Sequence, residues 1–193
     1  MVFLGDYPRF HRFLEVNFDY KQKIRRDFQE LAIWTRKPEG PWITEDDLNI
    51  QTKLLDDNRF GSSIELIGYS LNDPEVKPGE IVELTLFWMA KGAAENYWSV
   101  FTHLRSPDGS VAAQHDKVPY DGLYPPDRWM AGQIIDDRYT IEIADDLEPG
   151  EYTIYIGMYD HQTGDRLKLM NSTGAAVPYN ELSLPVKIIV LPN

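Results

Sequence analysis

The sequence contains no cysteine, and this absence excludes several kinds of chemistry at once. Thiol nucleophiles, disulfide frameworks, iron–sulfur clusters and cysteine-based zinc sites all need that side chain. Long hydrophobic runs are also missing, since no stretch approaches the roughly 18 apolar residues of a membrane-spanning helix. We therefore expect no direct insertion of this polypeptide into a membrane.

Positive charge is scarce. The 193 residues include 19 Lys and Arg against 31 Asp and Glu, which gives a formal net charge of −12. A surface that binds phosphates needs a net basic face, and docking on an anionic membrane needs one too. The composition therefore argues against a nucleic-acid partner and against electrostatic attachment to a membrane surface.

Motifs that carry catalysis are missing as well. The sequence has no Gly-x-Ser-x-Gly elbow, no Walker loop and no Gly-x-Gly-x-x-Gly. Its four histidines, which are His11, His103, His115 and His161, show no i, i+4 spacing of the kind that binds zinc. We predict no catalytic residue, no cofactor, no bound metal and no enzymatic activity.

Apolar residues make up 42% of the chain and aromatic residues 12%, enough for a packed core. Charge and periodicity divide the sequence near residue 60. Residues 1–59 have a net charge of −1 (10 basic, 11 acidic), whereas residues 60–193 have −11 (9 basic, 20 acidic). We predict an appendage over residues 1–41, a linker over 42–59 and one domain over 60–193.

The appendage is predicted to be a helix followed by a strand. Phe10, Phe13, Leu14 and Phe18 recur at the spacing of one helix face. A second helical phase is predicted through Tyr20, Ile24 and Phe28. A short strand is expected over residues 31–36, before the turn-rich residues 37–41. The linker is expected to contain at most one helical turn.

From residue 60 onward the hydrophobic period is two, which is typical of strands. Seven segments rich in Val, Ile, Tyr, Phe and Trp are separated by turn signals. They are residues 64–69, 81–88, 97–104, 111–114, 138–143, 152–159 and 184–191. The fold predicted is mainly β, an antiparallel β-sandwich of about seven to eight strands, immunoglobulin-like, fibronectin-III-like or a jelly roll.

Two local signals support this fold. Residues 106–110 read Ser-Pro-Asp-Gly-Ser, a hairpin turn in which glycine accepts a positive φ. Tyr152 begins a strand just after a Pro-Gly corner, which is the setting of a tyrosine corner. In that motif the hydroxyl bonds back to the preceding backbone, so the signal concerns the fold and not chemistry.

The most unusual stretch is residues 117–129, which we call the aromatic segment. It is a long connection with three aromatic residues and three prolines, and long loops of this kind often bind ligands. Tyr120, Tyr124 and Trp129 could stack on a sugar ring, with Asp116 and Arg128 as polar contacts. In the alternative, Trp129 folds back to close the end of the sandwich and the prolines stiffen a structural lid.

Acidic residues allow one further interpretation. Asp116, Asp136, Asp137 and Asp160 lie at strand ends or in loops, where oxygen ligands for Ca²⁺ are often gathered. No EF-hand spacing is present, and solvated surface charge is the simpler explanation.

Residues 60–193 also resemble a known region in the order of their motifs. These motifs include Ile64-Glu65-Leu66-Ile67-Gly68-Tyr69, Lys77-Pro78-Gly79-Glu80, Gln114-His115-Asp116, Trp129-Met130-Ala131-Gly132-Gln133 and Gly157-Met158-Tyr159-Asp160. The series is similar to the C-terminal, extracytoplasmic β-sandwich region of bacterial polytopic membrane glycosyltransferases of the dolichyl-phosphate-mannose–protein mannosyltransferase type. The stretches Asp6-Tyr7-Pro8 and Ala32-Ile33-Trp34-Thr35-Arg36 resemble the end of the preceding lobe in such proteins.

The resemblance implies a non-catalytic accessory module of a glycosyltransferase-like protein, because the catalytic loop of that family lies outside these residues. It implies an extracytoplasmic location, periplasmic or at the cell surface, tethered through upstream membrane segments if the chain is part of a larger protein. Its partner would be a glycan or an acceptor protein.

The alternative is a structural or protein-interaction domain that binds no sugar and docks on its own upstream lobe or on a second copy. Burial of Tyr124 and Trp129 would favour that alternative.

Overall fold

A computed structural model describes residues 12, 14–15, 18–26, 29–36, 43–56 and 58–192. The chain divides into two compact units, Met1–Leu48 and Asn49–Asn193. The division falls within the predicted linker. That stretch contains a short 3-10 turn over Glu45–Asp47, at the end of the first unit.

The first unit contains an antiparallel hairpin. Its strands are β1 (Phe18–Arg26) and β2 (Gln29–Arg36), with Phe18 opposite Arg36. The predicted strand over residues 31–36 is confirmed, and Arg12, Leu14 and Glu15 are helical as expected. The prediction is wrong for Phe18, the last residue of the predicted helix face, because Phe18 begins β1. Phe10, Phe13 and Phe28 lie outside the described residues.

The second helical phase is wrong, because Tyr20 and Ile24 belong to β1. In sequence, a four-residue spacing of apolar residues fits the period of a regular strand as well as that of a helix. The spacing of these two residues therefore could not distinguish the two structures.

The described part of the second unit contains eleven strands. They are β3 (Thr52–Lys53), β4 (Arg59–Phe60), β5 (Ile64–Leu71), β6 (Glu75–Val76), β7 (Ile81–Ala90), β8 (Trp98–Arg105), β9 (Val111–Gln114), β10 (Ile134–Glu142), β11 (Gly150–Asp160), β12 (Leu169–Met170) and β13 (Leu182–Val190).

These strands form two sheets. The six-stranded sheet has the order β10-β7-β5-β4-β12, with β3 also paired to β5. The five-stranded sheet has the order β6-β13-β11-β8-β9. All pairs are antiparallel except β6 with β13, which are parallel. The predicted antiparallel β-sandwich is therefore confirmed.

The core lies between the sheets, where alternate side chains of each strand meet. Leu84 and Leu86 of β7 and Ile154 and Ile156 of β11 are fully buried. Thr85 and Tyr155, the residues between them, are partly exposed. This alternation is the period of two that the sequence displays, and it fixes which residues of the five-stranded sheet face outward.

The two local signals are also confirmed. Gly109 has a φ of +88° and donates its N–H to the Ser106 carbonyl at 2.9 Å. The Tyr152 hydroxyl donates to the Glu148 carbonyl at 2.8 Å, which is the back-bond of a tyrosine corner.

Within the part of the chain that the structure describes, no helix has the length and apolar character needed to cross a membrane.

Candidate functional site

The aromatic segment consists of two short 3-10 turns, Pro119–Gly122 and Pro126–Arg128. Prolines open both turns, since their fixed φ suits the first helical position. The three predicted stacking residues are buried: Tyr120 is 8% exposed, Tyr124 6% and Trp129 1%. A ring in this position offers no free face to a ligand.

Trp129 closes one end of the sandwich. Its ring centre lies 6.5 Å from that of Trp88, a fully buried residue of β7. The Trp129 indole N–H donates to the Tyr124 carbonyl at 2.9 Å, and the Tyr124 hydroxyl donates to Gln133 Oε1, also at 2.9 Å. The polar groups of Trp129 and Tyr124 therefore each have an internal partner, as buried Trp and Tyr usually do. These contacts match the structural alternative for the segment.

Asp137 anchors the other end of the segment. Its buried carboxylate accepts hydrogen bonds from the Tyr120 N–H at 3.1 Å and from the Tyr139 hydroxyl. Lys117 Nζ lies 3.2 Å from Asp137 Oδ1. Burial raises the pKa of Asp137 above its usual range, even though the Lys117 charge opposes the shift. Burial and then the charge of Asp137 raise the pKa of Tyr139 as well.

The other two predicted contact residues are not buried. Arg128 is exposed on the second turn, whereas Asp116 is half-buried beside β8. The Asp116 carboxylate accepts a hydrogen bond from the Thr102 N–H at 3.3 Å, and its second oxygen lies 3.3 Å from His103 Nε2. Of the five predicted residues, only Asp116 borders the open groove described next.

An open groove of about 610 Å³ lies where the start of β8, the end of β11 and the connection after β9 meet. The register explains this meeting, because Asp160 at the end of β11 pairs with Trp98 at the start of β8. Its lining residues are predominantly polar. They are Asn96, Tyr97, Ser99, Asp116, Lys117, Val118, Tyr159, Asp160, His161 and Gln162.

Two tyrosines form the aromatic part of the groove. Tyr97 is 46% exposed, and its hydroxyl makes a long hydrogen bond of 3.5 Å to the Gly122 carbonyl. Tyr159 is half-buried, and burial together with the nearby Asp116 charge raises its pKa. The aromatic segment therefore helps to position the groove, because the Gly122 carbonyl accepts the hydrogen bond from the Tyr97 hydroxyl.

The charge of the groove is predominantly negative. Asp116 and Asp160 are carboxylates, and Asp160 Oδ1 already accepts the Gln162 N–H at 2.7 Å. Lys117 also lines the groove, but its ammonium group forms ion pairs with Asp121 at 3.1 Å and with Asp137 at 3.2 Å. An anionic ligand would therefore meet carboxylates without a free lysine to balance them.

Metal ligands do not gather in the described residues, where no group of three His, Asp or Glu side chains is close enough to hold an ion. The four aspartates considered for Ca²⁺ have protein partners. Asp136, for example, accepts the Tyr120 hydroxyl at 2.6 Å.

The sequence did not single out Tyr97, Tyr159 or Gln162 as site residues. Tyr97 and Tyr159 lie at the ends of predicted strands, and this position is the feature of the sequence that could have identified them as site residues. Which strand ends meet depends on the register between β8 and β11, and no local pattern contains that information.

Comparisons with known proteins leave the family open. No protein-family model matches this sequence, and the search among curated proteins gave no match. The chain is similar to one solved structure described as the C-terminal domain of wzt, with 10% identity and a TM-score of 0.47, over 68% of this chain and 74% of that one. At that level neither family nor activity transfers, so the resemblance to membrane glycosyltransferases stays a prediction.

Proposed function

We propose that this protein is a non-catalytic accessory module that binds a glycan in the groove between β8, β11 and the connection after β9. The observation that carries the proposal is the exposed Tyr97 ring beside a row of polar side chains. Sugars combine an apolar ring face with many hydroxyls, and such a surface provides both stacking and hydrogen bonds. This site replaces the aromatic segment as the ligand surface.

The charge of the groove narrows the ligand. Asp116 and Asp160 can accept hydrogen bonds from hydroxyls, and Asn96 and Gln162 can both donate and accept. Uronic acids and phosphorylated sugars would be repelled by the two carboxylates and by a chain of net charge −12. The proposed ligand is therefore a neutral glycan.

Location and context follow from the sequence resemblance, and they form part of the same proposal. An accessory module of a glycosyltransferase-like membrane protein would place the groove outside the cytoplasm, near a glycan or an acceptor. The polar groove supports this role because its side chains can donate and accept hydrogen bonds to sugar hydroxyls.

A second candidate is a structural or protein-interaction domain that binds no sugar. The burial of Tyr124 and Trp129 favours it, because those rings contribute to packing and not to a ligand surface. In this case the module would dock on another part of its protein or on a second copy.

A glycan array separates the two candidates. The wild-type protein is expected to retain neutral glycans and to reject uronic acids, and Tyr97→Ala is expected to abolish retention. Ile81→Ala is the matched control, because Ile81 is 45% exposed and lies on the six-stranded sheet. Retention of no neutral glycan, together with self-association in sedimentation velocity, would contradict glycan binding and support docking.

A further inference from the structure

Tyr179 combines an unusual backbone conformation with a highly exposed side chain. It lies in the 3-10 turn Pro178–Asn180 with a φ of +57°, and Asn180 follows at +52°. The left-handed region suits asparagine but is unfavourable for a bulky residue such as tyrosine. The Tyr179 side chain is nevertheless 81% exposed. Strain of this kind persists only where the surrounding contacts impose it.

Arg166 is one of the residues that hold this turn in place. Its guanidinium donates to the Tyr179 carbonyl at 2.9 Å and to Glu181 Oε2 at 2.8 Å, and it lies 4.6 Å from the centre of the Phe101 ring. The backbone of Arg166 also forms an antiparallel bridge with Tyr159. One residue therefore connects the turn that carries Tyr179 to the groove tyrosine Tyr159.

Gly157 allows the turn to lie directly on the sheet. A Cβ at this position would stand 2.2 Å from Phe101 Cζ and 3.0 Å from the Asn180 carbonyl. Gly157 and Tyr159 both face outward on β11, about 7 Å apart along the strand. The main chain next to Tyr179 therefore lies close to Gly157, two residues along β11 from the groove residue Tyr159.

From this geometry we propose that Tyr179 is a second aromatic contact of the same ligand site. Tyr97 immediately precedes β8 and Tyr179 lies shortly before β13, and these are the two strands on either side of β11, which carries Tyr159. The ligand is then a segment of a glycan chain, several residues long, that crosses the outer face of the five-stranded sheet. This inference rests on the proposed function, because it assigns the length of the glycan that the groove binds.

Calorimetric titration against chains of increasing length tests the inference. The probes are mannan, dextran and galactan with their mono-, di-, tetra- and hexasaccharides. For the wild type, affinity is expected to rise from disaccharide to hexasaccharide. Tyr179→Ala is expected to lower hexasaccharide affinity about tenfold and to leave the disaccharide unchanged, on the scale of one aromatic contact. Tyr179→Phe keeps the ring and should bind like the wild type.

Leu55→Ala is the control, since Leu55 is 87% exposed and lies just after β3, which pairs with the six-stranded sheet. Thermal unfolding of each variant checks that the fold persists. Equal hexasaccharide affinity for Tyr179→Ala and the wild type, with binding abolished by Tyr97→Ala, would overturn the extended site and leave the groove intact. Failure of the wild type to bind any of the three polymers would remove the proposed function and the inference with it.

Discussion

The aromatic segment and the groove use aromatic residues in opposite ways. In residues 117–129 the rings of Tyr120, Tyr124 and Trp129 face inward and contribute to packing. In the groove, Tyr97 is half exposed and lies among polar side chains. A high density of aromatic residues in a loop therefore indicates where apolar surface area is buried. It does not indicate where a ligand stacks.

The difference has a physical cause in the partners of each ring. The side chain of Trp129 is buried in the core, and its indole N–H donates a hydrogen bond within the protein. A ring that is buried in this way gains the full hydrophobic stabilisation, which exposure would remove. Tyr97 makes a long hydrogen bond to the Gly122 carbonyl, and 46% of its side chain stays exposed to solvent.

The largest expected effect is on Trp129. Because the ring is 1% exposed against Trp88, Trp129→Ala should lower the free energy of unfolding by about 4 kcal/mol. Urea denaturation measures this change, and Ile81→Ala should change stability by less than about 0.5 kcal/mol. A loss under about 1 kcal/mol for Trp129→Ala would mean that the ring is not packed, and it would return the segment to consideration as a ligand surface.

A smaller effect is expected at the anchor of the segment. Asp137→Ala should lower the free energy of unfolding by about 3 kcal/mol, because Lys117 and the Tyr139 hydroxyl would lose a buried partner. Asp121→Asn is the matched control, because asparagine suits the φ of +54° at this position. It removes the charge of the exposed partner of the same lysine and should cost less than about 1 kcal/mol. Equal losses in the two variants would contradict the role of Asp137.

The smallest effect concerns Glu181, which directly follows the turn that carries Tyr179. Glu181 bridges Arg105 at 2.7 Å and Arg166 at 2.8 Å. Burial alone would raise the pKa of Glu181, but hydrogen bonds and charge from Arg105 and Arg166 lower it below its usual 4.5. Glu181→Gln should lower the free energy of unfolding at pH 7 by about 2 kcal/mol.

This contribution depends on pH. A carboxyl group whose pKa is lower in the folded state than in the unfolded state stabilises the fold at pH values above its unfolded-state pKa. This stabilisation is lost as the pH falls through its folded-state pKa. The difference between wild type and Glu181→Gln should therefore shrink below about pH 4.5. Urea denaturation over a pH series tests this, and a difference that grows on acidification would contradict the arrangement.

Much of the fold could be predicted from the sequence, because period-two patterning is a local property. All seven predicted segments of the second unit overlap strands of the structure. The start of β10 was missed, since Asp136 and Asp137 interrupt the apolar pattern, and Asp137 is buried only because Lys117 and Tyr139 reach it. The two-residue strands β3, β4, β6 and β12 are too short to show any period.

The site was harder to predict for a different reason. Asp116 was identified from its position at a strand end, and it does line the groove. Tyr97 and Tyr159 share that type of position, but their proximity depends on the pairing of β8 with β11 across more than fifty residues of sequence. Tyr179, the proposed second contact, shows no local signal, because its turn contacts Gly157 and Arg166, which are distant from it in the sequence.

Hydrogen–deuterium exchange tests the central claim, which is that the groove and not the aromatic segment meets the ligand. The measurement compares the protein with and without the neutral polysaccharide that the glycan array retains. We predict slower exchange in residues 96–99, 116–118 and 159–162, with no change in residues 123–130. Protection confined to residues 123–130 would contradict the account.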